Sequence, residues 1–285
     1  MPCADGAGVI DARGPGVGDA VHLQVGASVV AYPVLSCGHC GSCRAANPQL
    51  CRKFGLLGEH VDGCAQEMRL LPAESVLPLP EGLSFVEAAA MPTTFITAWH
   101  MLARARVAPG ETVLVHGAAS GVGSAGVQVA KVMGARVIAT VRRDRDVARA
   151  MELGADDIVR TDDPAWPQVV RRLSPGGVEV VYEHIGGATW DGSIRALQRG
   201  GRLVTCGATA GHEVTLNLRK IFFHSIEVIG STMGTRTELE VVLRLAARGA
   251  LRPVIGAVRP LSEGAEAMDL LERRAVFGKV VLEIP

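Results

Sequence analysis

The stretch VLVHGAASGVGSAG, residues 113–126, decides the fold, because it joins an apolar run to a helix-like segment through a glycine-rich turn. Glycines in such a turn let the backbone bend sharply and approach a pyrophosphate, and the helix that follows offers free N–H groups and a positive dipole end. The spacing G-x-x-x-G-x-G departs from the regular G-x-G-x-x-G, and a tight turn without a ligand is the alternative interpretation. Its position between a strand and a helix nevertheless predicts a dinucleotide site. The residues assigned to this site are Gly117, Ala118, Ala119, Ser120, Gly121, Val122 and Gly123.

Short apolar runs alternate with helical segments on both sides of this turn, as far as residue 232. Such alternation predicts an α/β fold with a doubly wound parallel sheet, covered by helices on both faces. Residues 1–95 differ, because they are rich in glycine and proline and favour short strands and loops. Strands are predicted at 111–117, 135–141, 156–159, 178–187, 201–208 and 225–232, and helices at 122–134, 145–155, 165–177 and 190–200.

The second strand of the series ends in ATVRRDRD, residues 139–146. A preference for NAD usually places an acidic residue at the end of this strand to hold the ribose 2′-hydroxyl. Val141 takes that place here, and Arg142 and Arg143 follow it. Guanidinium groups suit a 2′-phosphate through bidentate contacts, so the sequence favours NADP(H) over NAD(H). The alternative is that both arginines form the solvated start of the next helix.

Four of the seven cysteines lie within sixteen residues, in the stretch SCGHCGSCRAANPQLC. Their spacing, C-x2-C-x2-C-x7-C, allows four thiolates to converge on one ion, and four cysteine ligands make a closed tetrahedral zinc site. Such a site stabilises a loop and leaves no position open for a substrate. The predicted ligands of this single structural zinc are Cys37, Cys40, Cys43 and Cys51; the alternative is a lobe that stays empty.

The composition of the 285 residues is that of a globular protein: 48% are apolar, 20% are charged, and the formal net charge is zero. These values exclude a disordered chain, and the absence of a basic stripe argues against a nucleic-acid partner. The first residues lack a basic and apolar leader, and the most apolar window contains Glu87, Pro92 and His100. A membrane span is therefore not expected, and a cytoplasmic, reducing location is the default.

Taken together, the chain resembles the medium-chain dehydrogenase/reductase superfamily, in the branch of quinone oxidoreductase-like proteins and zinc-type alcohol dehydrogenases. The resemblance lies in the cysteine lobe, in AAAMPTTFITAWHML (88–102), in the stretch 113–126 and in FGKVVL (277–282). It implies an incomplete GroES-like, β-rich catalytic domain at 1–96 and 233–285, interrupted by a Rossmann domain at 97–232. It also implies hydride transfer between nicotinamide and a small-molecule substrate, and a homodimer formed through the last Rossmann strand, SIEVIGST (225–232).

The same resemblance assigns further residues to the site. Thr97 matches the family threonine that packs against the nicotinamide ring. Among the histidines, His184 is the first candidate for the proton donor, because it stands at a strand end; solvent is the alternative source. The further residues expected to contact the cofactor are Gly207, Ala208, Ser231, Thr232, Met233 and Lys279.

Two departures from the family pattern bear on activity. Ala4 and Thr93 stand where the family has ligands of a catalytic zinc, and neither side chain is a good ligand, so no catalytic zinc is expected. The chain also begins about 60 residues later than is usual in the family. The leading hypothesis is an NADP(H)-dependent oxidoreductase of small enone, quinone or carbonyl/alcohol substrates. The alternatives are an alcohol dehydrogenase whose irregular zinc site uses Asp5 or Cys3, and an NADPH-binding remnant without activity.

Overall fold

The computed structural model describes residues 1–284, and these residues form two compact units. The first unit contains Met1–Ile96 and the segment from Met233 onward, and the second contains Thr97–Thr232. The first unit is therefore discontinuous in sequence, whereas the second is continuous.

Short strands dominate the first unit and longer parallel strands the second. In chain order the strands are β1 (Ala7–Val9), β2 (Ser28–Ala31), β3 (Val34–Leu35), β4 (Gly55–Leu56), β5 (Val76–Pro78), β6 (Thr112–Val115), β7 (Arg136–Val141), β8 (Asp157–Arg160), β9 (Val178–Glu183), β10 (Leu197–Thr205), β11 (Glu227–Gly230), β12 (Ile255–Pro260) and β13 (Lys279–Glu283). The α-helices are α1 (Gly41–Arg44), α2 (Phe85–Ala89), α3 (Pro92–Arg104), α4 (Gly121–Val132), α5 (Val147–Glu152), α6 (Trp166–Leu173), α7 (Trp190–Ala196), α8 (Leu218–His224), α9 (Arg236–Ala247) and α10 (Gly264–Glu272).

The first unit is built from three small sheets. Strands β1, β2 and β5 form an antiparallel sheet, β3 pairs with β4, and β12 pairs with β13 in parallel. The residues between β3 and β4 form the cysteine lobe. A hydrogen bond joins the two sequence segments of this unit: the Tyr32 hydroxyl donates to the carbonyl of Gly234 at 2.7 Å. The β-rich character expected of residues 1–95 is confirmed.

The second unit is a six-stranded parallel sheet in the order β11-β10-β9-β6-β7-β8. The middle strand β6 is buried along its whole length, as expected for a sheet that is covered on both faces. From β6 the chain continues to β7 and β8 on one side of the sheet, and it then crosses to β9, which pairs with the other edge of β6. The direction in which strands are added therefore reverses between β6 and β9. In open α/β sheets, ligands bind at this switch point, beyond the carboxyl ends of the strands.

Several elements are shorter than the sequence predicts: β9 ends at Glu183, α5 at Glu152 and α6 at Leu173. At one boundary the type of element also changes. A helix was predicted over 190–200, but α7 ends at Ala196 and β10 begins at Leu197. Leu197 already pairs with Val178 of β9, and the register shifts before Arg202. Gly200 has a φ of +72°, which lies outside the right-handed helical region and which glycine adopts readily, and it lies within this irregular part of the strand.

A second difference lies in residues 66–80, QEMRLLPAESVLPLP, one of the short β-like runs in the first 95 residues. Only Val76–Pro78 forms a strand there. Leu70 is 89% exposed, so the apolar residues before β5 lack the burial that would hold a strand in a sheet. In residues 1–284, no helix has both the length and the apolar character needed to cross a bilayer.

Candidate functional site

The turn between β6 and α4 is held in shape by its own glycines and by Ser120. Gly117 has a φ of +60°, which disfavours a side chain. A Cβ on Gly123 would lie 2.1 Å from the carbonyl oxygen of Gly117, so the two backbones meet in direct contact. Ser120 is the N-cap of α4, and its hydroxyl accepts the amide of Gly123 at 2.9 Å. The sequence therefore permits a close turn that no larger residue at position 123 would allow.

Some backbone N–H groups of this turn donate hydrogen bonds within the protein, and others have no acceptor there. The amide of Gly117 donates to the Thr140 hydroxyl at 3.0 Å, and the amide of Ala118 donates to the Thr140 carbonyl at 2.9 Å. The amides of Gly121 and Val122, the first two of α4, have no acceptor in the described part of the chain, as is usual at a helix N-terminus. These two N–H groups and the helix dipole make a fitting cradle for a diphosphate.

The end of β7 leaves one arginine without an ion pair. Arg143 donates to Asp146 at 3.0 Å, and Asp144 forms an ion pair with Arg160. Arg142 is exposed and forms no ion pair with any of residues 1–284. Of the two arginines expected to meet a 2′-phosphate, Arg142 is thus the one with a free guanidinium.

The loops that follow β9 and β10 pack on each other. The amide of Ala210 donates to the carbonyl of Ile185 at 2.7 Å, and a Cβ on Gly186 would lie 2.3 Å from the carbonyl oxygen of Gly211. Gly207 and Ala208, both expected to contact the cofactor, belong to this pair of loops, and Gly207 lies close to the His184 carbonyl. The structure thus brings these residues together at the carboxyl ends of the central strands.

His184 lies directly behind the glycine-rich turn. Its ring is at 3.1–3.3 Å from the place that a Cβ on Gly117 would occupy. Its Nε2 hydrogen-bonds with the carbonyl of His116 at 2.8 Å, and a carbonyl only accepts, so Nε2 carries the proton. Burial lowers the pKa of His184, and the ring is therefore neutral. Its role as proton donor stays a prediction.

Ser231 supplies a buried hydroxyl that is not satisfied by the protein. Its Oγ has no hydrogen-bond partner among residues 1–284, although the residue is buried. A buried hydroxyl without a partner costs on the order of 1–3 kcal/mol, so a bound ligand would be a fitting partner. Its neighbour Thr232 closes the second unit, and Thr97 opens that unit as a buried residue of α3.

Two residues expected to contact the cofactor belong to the other unit. Met233 has a φ of +48°, which is unusual for a residue with a side chain. The ammonium of Lys279 pairs with the Asp5 carboxylate at 2.8 Å. Burial alone would lower the pKa of Lys279, but Asp5 outweighs it and the pKa is raised, so the pair is ionic. A contact of either residue with a cofactor stays a prediction.

Asp5 is the candidate ligand of an irregular catalytic zinc. Its second oxygen accepts both the amide and the hydroxyl of Thr93, at 2.8 and 2.5 Å. Both of its oxygens are thus engaged, and Cys3 is the other residue named for such a site. Within residues 1–284, the cysteine lobe alone brings three or more metal-binding side chains within ligating distance of one another.

The four lobe cysteines form a cluster that fits zinc. Cys40 caps α1, and Cys51 follows a short 3-10 turn at Pro48–Leu50. The neighbouring sulfurs lie 3.5–3.9 Å apart, close to the ~3.8 Å edge of a tetrahedron with Zn–S bonds of about 2.3 Å. The amides of His39 and Cys40 donate to Cys37 and lower its pKa to about 6, which favours the thiolate.

Three functional residues were missed by sequence reasoning, because each lies in an apolar or helical run. Glu183, Ser193 and Thr140 are buried and join the glycine-rich turn to the end of β9. Glu183 accepts Ser193 Oγ at 2.8 Å, and Ser193 Oγ lies 2.9 Å from His116 Nε2. A carboxylate in the buried run VEVVYEH was the one available indication, since charges are seldom buried without partners.

His116 is expected to stay neutral and to make the protein less stable in acid. Burial lowers its pKa from 6.5 to about 4, although Glu183 acts in the opposite direction and His184 reinforces the shift. Between these values the unfolded chain binds a proton that the folded chain does not, so stability falls as the pH falls. From pH 7 to 5 this contribution is about 2 kcal/mol. Urea unfolding of wild type and His116→Gln should show that the variant loses about 2 kcal/mol less over this range. An equal loss in both proteins would contradict the prediction.

Comparison with known proteins places these features in a family. Residues 121–248 match the profile described as zinc-binding dehydrogenase, and residues 1–81 match the alcohol dehydrogenase GroES-like domain. An alcohol dehydrogenase of Geobacillus stearothermophilus is 31% identical over 285 residues, which cover 100% of this chain and 83% of that protein. An acryloyl-coenzyme A reductase of Metallosphaera sedula is 31% identical over 246 residues, 86% of this chain and 72% of that protein.

A solved structure gives the same result. The crystal structure of an NAD-dependent alcohol dehydrogenase superposes with a TM-score of 0.95 and 44% identity, covering 100% of this chain and 83% of that one. The α/β fold with a Rossmann sheet and a GroES-like domain is confirmed by these matches. The chain belongs to the medium-chain dehydrogenase/reductase superfamily and is an oxidoreductase of that family.

Proposed function

We propose that the protein transfers a hydride between NADP(H) and a small enone, quinone or carbonyl/alcohol substrate, with a structural zinc and no catalytic zinc. The observation that carries the proposal is the glycine-rich turn at the switch point of the sheet. There, two free amides of α4 and the dipole of that helix meet the place where a diphosphate binds in such folds.

The cofactor supplies the hydride, and the protein supplies binding and orientation. In our proposal, the amides of Gly121 and Val122 hold the diphosphate, and the unsatisfied hydroxyl of Ser231 offers a hydrogen bond to the nicotinamide end. Thr97 packs against the ring. Correct orientation of two reactants contributes on the order of 7–11 kcal/mol to lowering a barrier, which suits a site without a catalytic metal.

The source of the proton is either His184 or solvent. The neutral ring of His184 donates its Nε2 proton to the His116 carbonyl and leaves Nδ1 bare, so His184 could deliver a proton only after Nδ1 had first taken one up. We propose His184→Gln as the discriminating variant, because glutamine retains an N–H donor without an ionisable ring. A solvent isotope effect and pH profile of kcat unchanged in this variant would assign the proton to solvent.

Zinc in the cysteine lobe would be held by four thiolates, with no coordination position left for a substrate. We assign it a structural role, and no step of the reaction passes through it. One zinc per chain supports this assignment. Two zinc ions per chain would favour the alternative alcohol dehydrogenase with an irregular site at Asp5 or Cys3.

We base the preference for NADP(H) on Arg142. The NAD-dependent relative argues the other way, but here Arg142 is unpaired and Asp144 is held by Arg160, so no free carboxylate follows β7 directly. Arg142→Ala should weaken NADPH binding about tenfold, as expected for losing one charge-assisted contact, and leave NADH binding within twofold. Fluorescence titration with both cofactors measures this.

Arg145→Ala is the matched control, because Arg145 is an exposed arginine of the same loop, 4.0 Å from Asp146. It should change neither affinity. Tighter binding of NADH than of NADPH by the wild type, or an equal effect of both variants, would reverse the assignment.

Turnover separates an enzyme from a binding remnant. Reduced cofactor is mixed with enones, quinones and aldehydes, and oxidised cofactor with alcohols, while absorbance at the nicotinamide band is followed. The acryloyl-coenzyme A reductase and the alcohol dehydrogenase among the relatives motivate these two directions. Binding without turnover across the whole panel would favour the remnant.

A homodimer through the last Rossmann strand is also proposed. β11 pairs only with β10 and so lies at the edge of the described sheet, with Val228 at 42% exposed. In the preceding helix α8, the rings of Phe222 and Phe223 lie 4.6 Å apart at a tilt of 40° and are 62% and 60% exposed. An apolar edge of this kind favours association over solvation. Sedimentation at several concentrations tests whether the chain is a dimer.

A further inference from the structure

Glu183 is a fully buried carboxylate that is surrounded by donors. One oxygen accepts the amides of Ile185 at 2.6 Å and Gly186 at 3.1 Å. The other accepts the hydroxyls of Thr189 at 2.9 Å and Ser193 at 2.8 Å. An ionised carboxylate accepts and never donates, so the Ser193 hydroxyl is the donor in its hydrogen bond with Glu183.

This requirement fixes the next hydrogen bond. The Ser193 hydroxyl has one proton, and it is donated to Glu183. Ser193 Oγ lies 2.9 Å from His116 Nε2, so it can only accept there, and Nε2 must carry a proton. His116 is neutral, and its Nδ1 is therefore the bare, accepting nitrogen.

The same reasoning identifies the donor in each hydrogen bond between His116 and the glycine-rich turn. His116 Nδ1 lies 3.2 Å from the Thr140 hydroxyl, which must donate to it. Thr140 Oγ1 in turn accepts the amide of Gly117 at 3.0 Å. Every hydrogen bond from Gly117 to Glu183 thus runs one way, through Thr140, His116 and Ser193.

The end of this chain is the residue that shapes the cofactor cradle. The amide of Gly117 is held by the Thr140 hydroxyl, the His184 ring lies beside the place that a Gly117 side chain would occupy, and the Gly117 carbonyl lies against Gly123. His184 adds a further constraint, because its Nε2 proton is donated to the His116 carbonyl. A shift of Thr140 or His116 would therefore move Gly117 and the start of α4 with it.

We propose that Glu183 is a positioning residue for the dinucleotide turn, whose carboxylate sets the direction of a buried hydrogen-bond chain ending on the amide of Gly117. The inference rests on the proposed binding of a dinucleotide at this turn. It assigns to Glu183, Ser193, His116 and Thr140 a single role, which is to hold the cradle in the shape that a diphosphate requires before the ligand arrives.

The first test is spectroscopic and needs no ligand. The 15N shifts of the His116 ring should report the Nε2–H tautomer in the wild type, and Glu183→Gln should shift it toward Nδ1–H or a mixture. Glutamine cannot accept from all four donors, because one end of its amide is itself a donor. An Nδ1–H tautomer in the wild type, or an unchanged tautomer in Glu183→Gln, would overturn the inference.

The second test compares Thr140→Val with Thr140→Ser. Valine has the shape of threonine without the hydroxyl, and it should weaken NADPH binding at least tenfold; serine keeps the hydroxyl and should stay within about twofold. Ser174→Ala removes another buried hydroxyl of the same unit, one that donates to the Gly177 carbonyl, and should not change affinity. Near-UV circular dichroism confirms that each variant is folded, and Ser193→Ala replaces Thr140→Val if valine prevents folding.

The outcomes separate this inference from the proposed function. A folded wild type that binds neither NADPH nor NADH overturns the proposed function. A wild type that binds, with Thr140→Val equal to it in affinity, overturns the positioning role alone. Weakening by valine with rescue by serine supports the positioning role, since a general loss of stability would not distinguish these two residues.

Discussion

Replacement of Cys40 by serine should release zinc and lower the free energy of unfolding by more than about 3 kcal/mol. Cys40 is central to the lobe, because its sulfur lies within 3.5 and 3.8 Å of the sulfurs of Cys43 and Cys51. Structural zinc sites in small peptides have apparent binding free energies of about 10–16 kcal/mol, and this binding stabilises the folded state. Loss of even part of it should therefore lower the stability strongly. Mass spectrometry measures the zinc content per chain, and urea unfolding measures the free energy of unfolding.

Cys3→Ser is the control for this experiment. Cys3 is exposed and outside the lobe, so its replacement should leave both the zinc content and the stability near those of the wild type. Cys3 is also a candidate ligand of an irregular catalytic zinc, and loss of one of two zinc ions in Cys3→Ser would support that alternative. A Cys40→Ser protein with full zinc content would refute the lobe assignment.

The second large effect is expected from Gly123→Ala, which should abolish measurable dinucleotide binding. The added Cβ would lie 2.1 Å from the carbonyl oxygen and 2.6 Å from the carbonyl carbon of Gly117. Both atoms belong to the backbone and cannot turn away like the end of a side chain, so the turn must open. A loss of at least 100-fold, about 3 kcal/mol, should appear in fluorescence titration with NADPH.

Gly8→Ala provides the comparison, because a Cβ on Gly8 would meet nothing within 4 Å. It should bind the cofactor as the wild type does. Affinity within fivefold of wild type in a folded Gly123→Ala protein would mean that the turn does not form the cradle.

Local patterns in the sequence were sufficient for much of the fold. The strand β6, the turn at Gly117 and the helix α4 follow from apolar runs and glycines that act over a few residues. The spacing of the four cysteines likewise predicted a cluster that the sulfur distances now show. In each of these features the residues that interact lie close together in the sequence. Periodicity and turn chemistry are informative over that range.

Contacts over long separations were not predictable. Thr140 and Ser193 contact His116 across 24 and 77 residues of sequence. No local sequence pattern indicates that either hydroxyl has a partner so far along the chain. The ion pair of Lys279 with Asp5, 274 residues away, was likewise not predicted. The same limit applies to β10, whose early start at Leu197 depends on pairing with Val178.

The ion pair of Asp5 and Lys279 also has a consequence for biosynthesis. Its partners emerge from the ribosome far apart in time, since synthesis at roughly 5–20 residues per second separates them by on the order of 14–55 seconds. The ion pair and the sheet of β12 and β13 therefore form only after the last part of the chain has emerged, when residues 97–232 are already complete. A chain that ended before position 279 would leave Asp5 permanently without its cation.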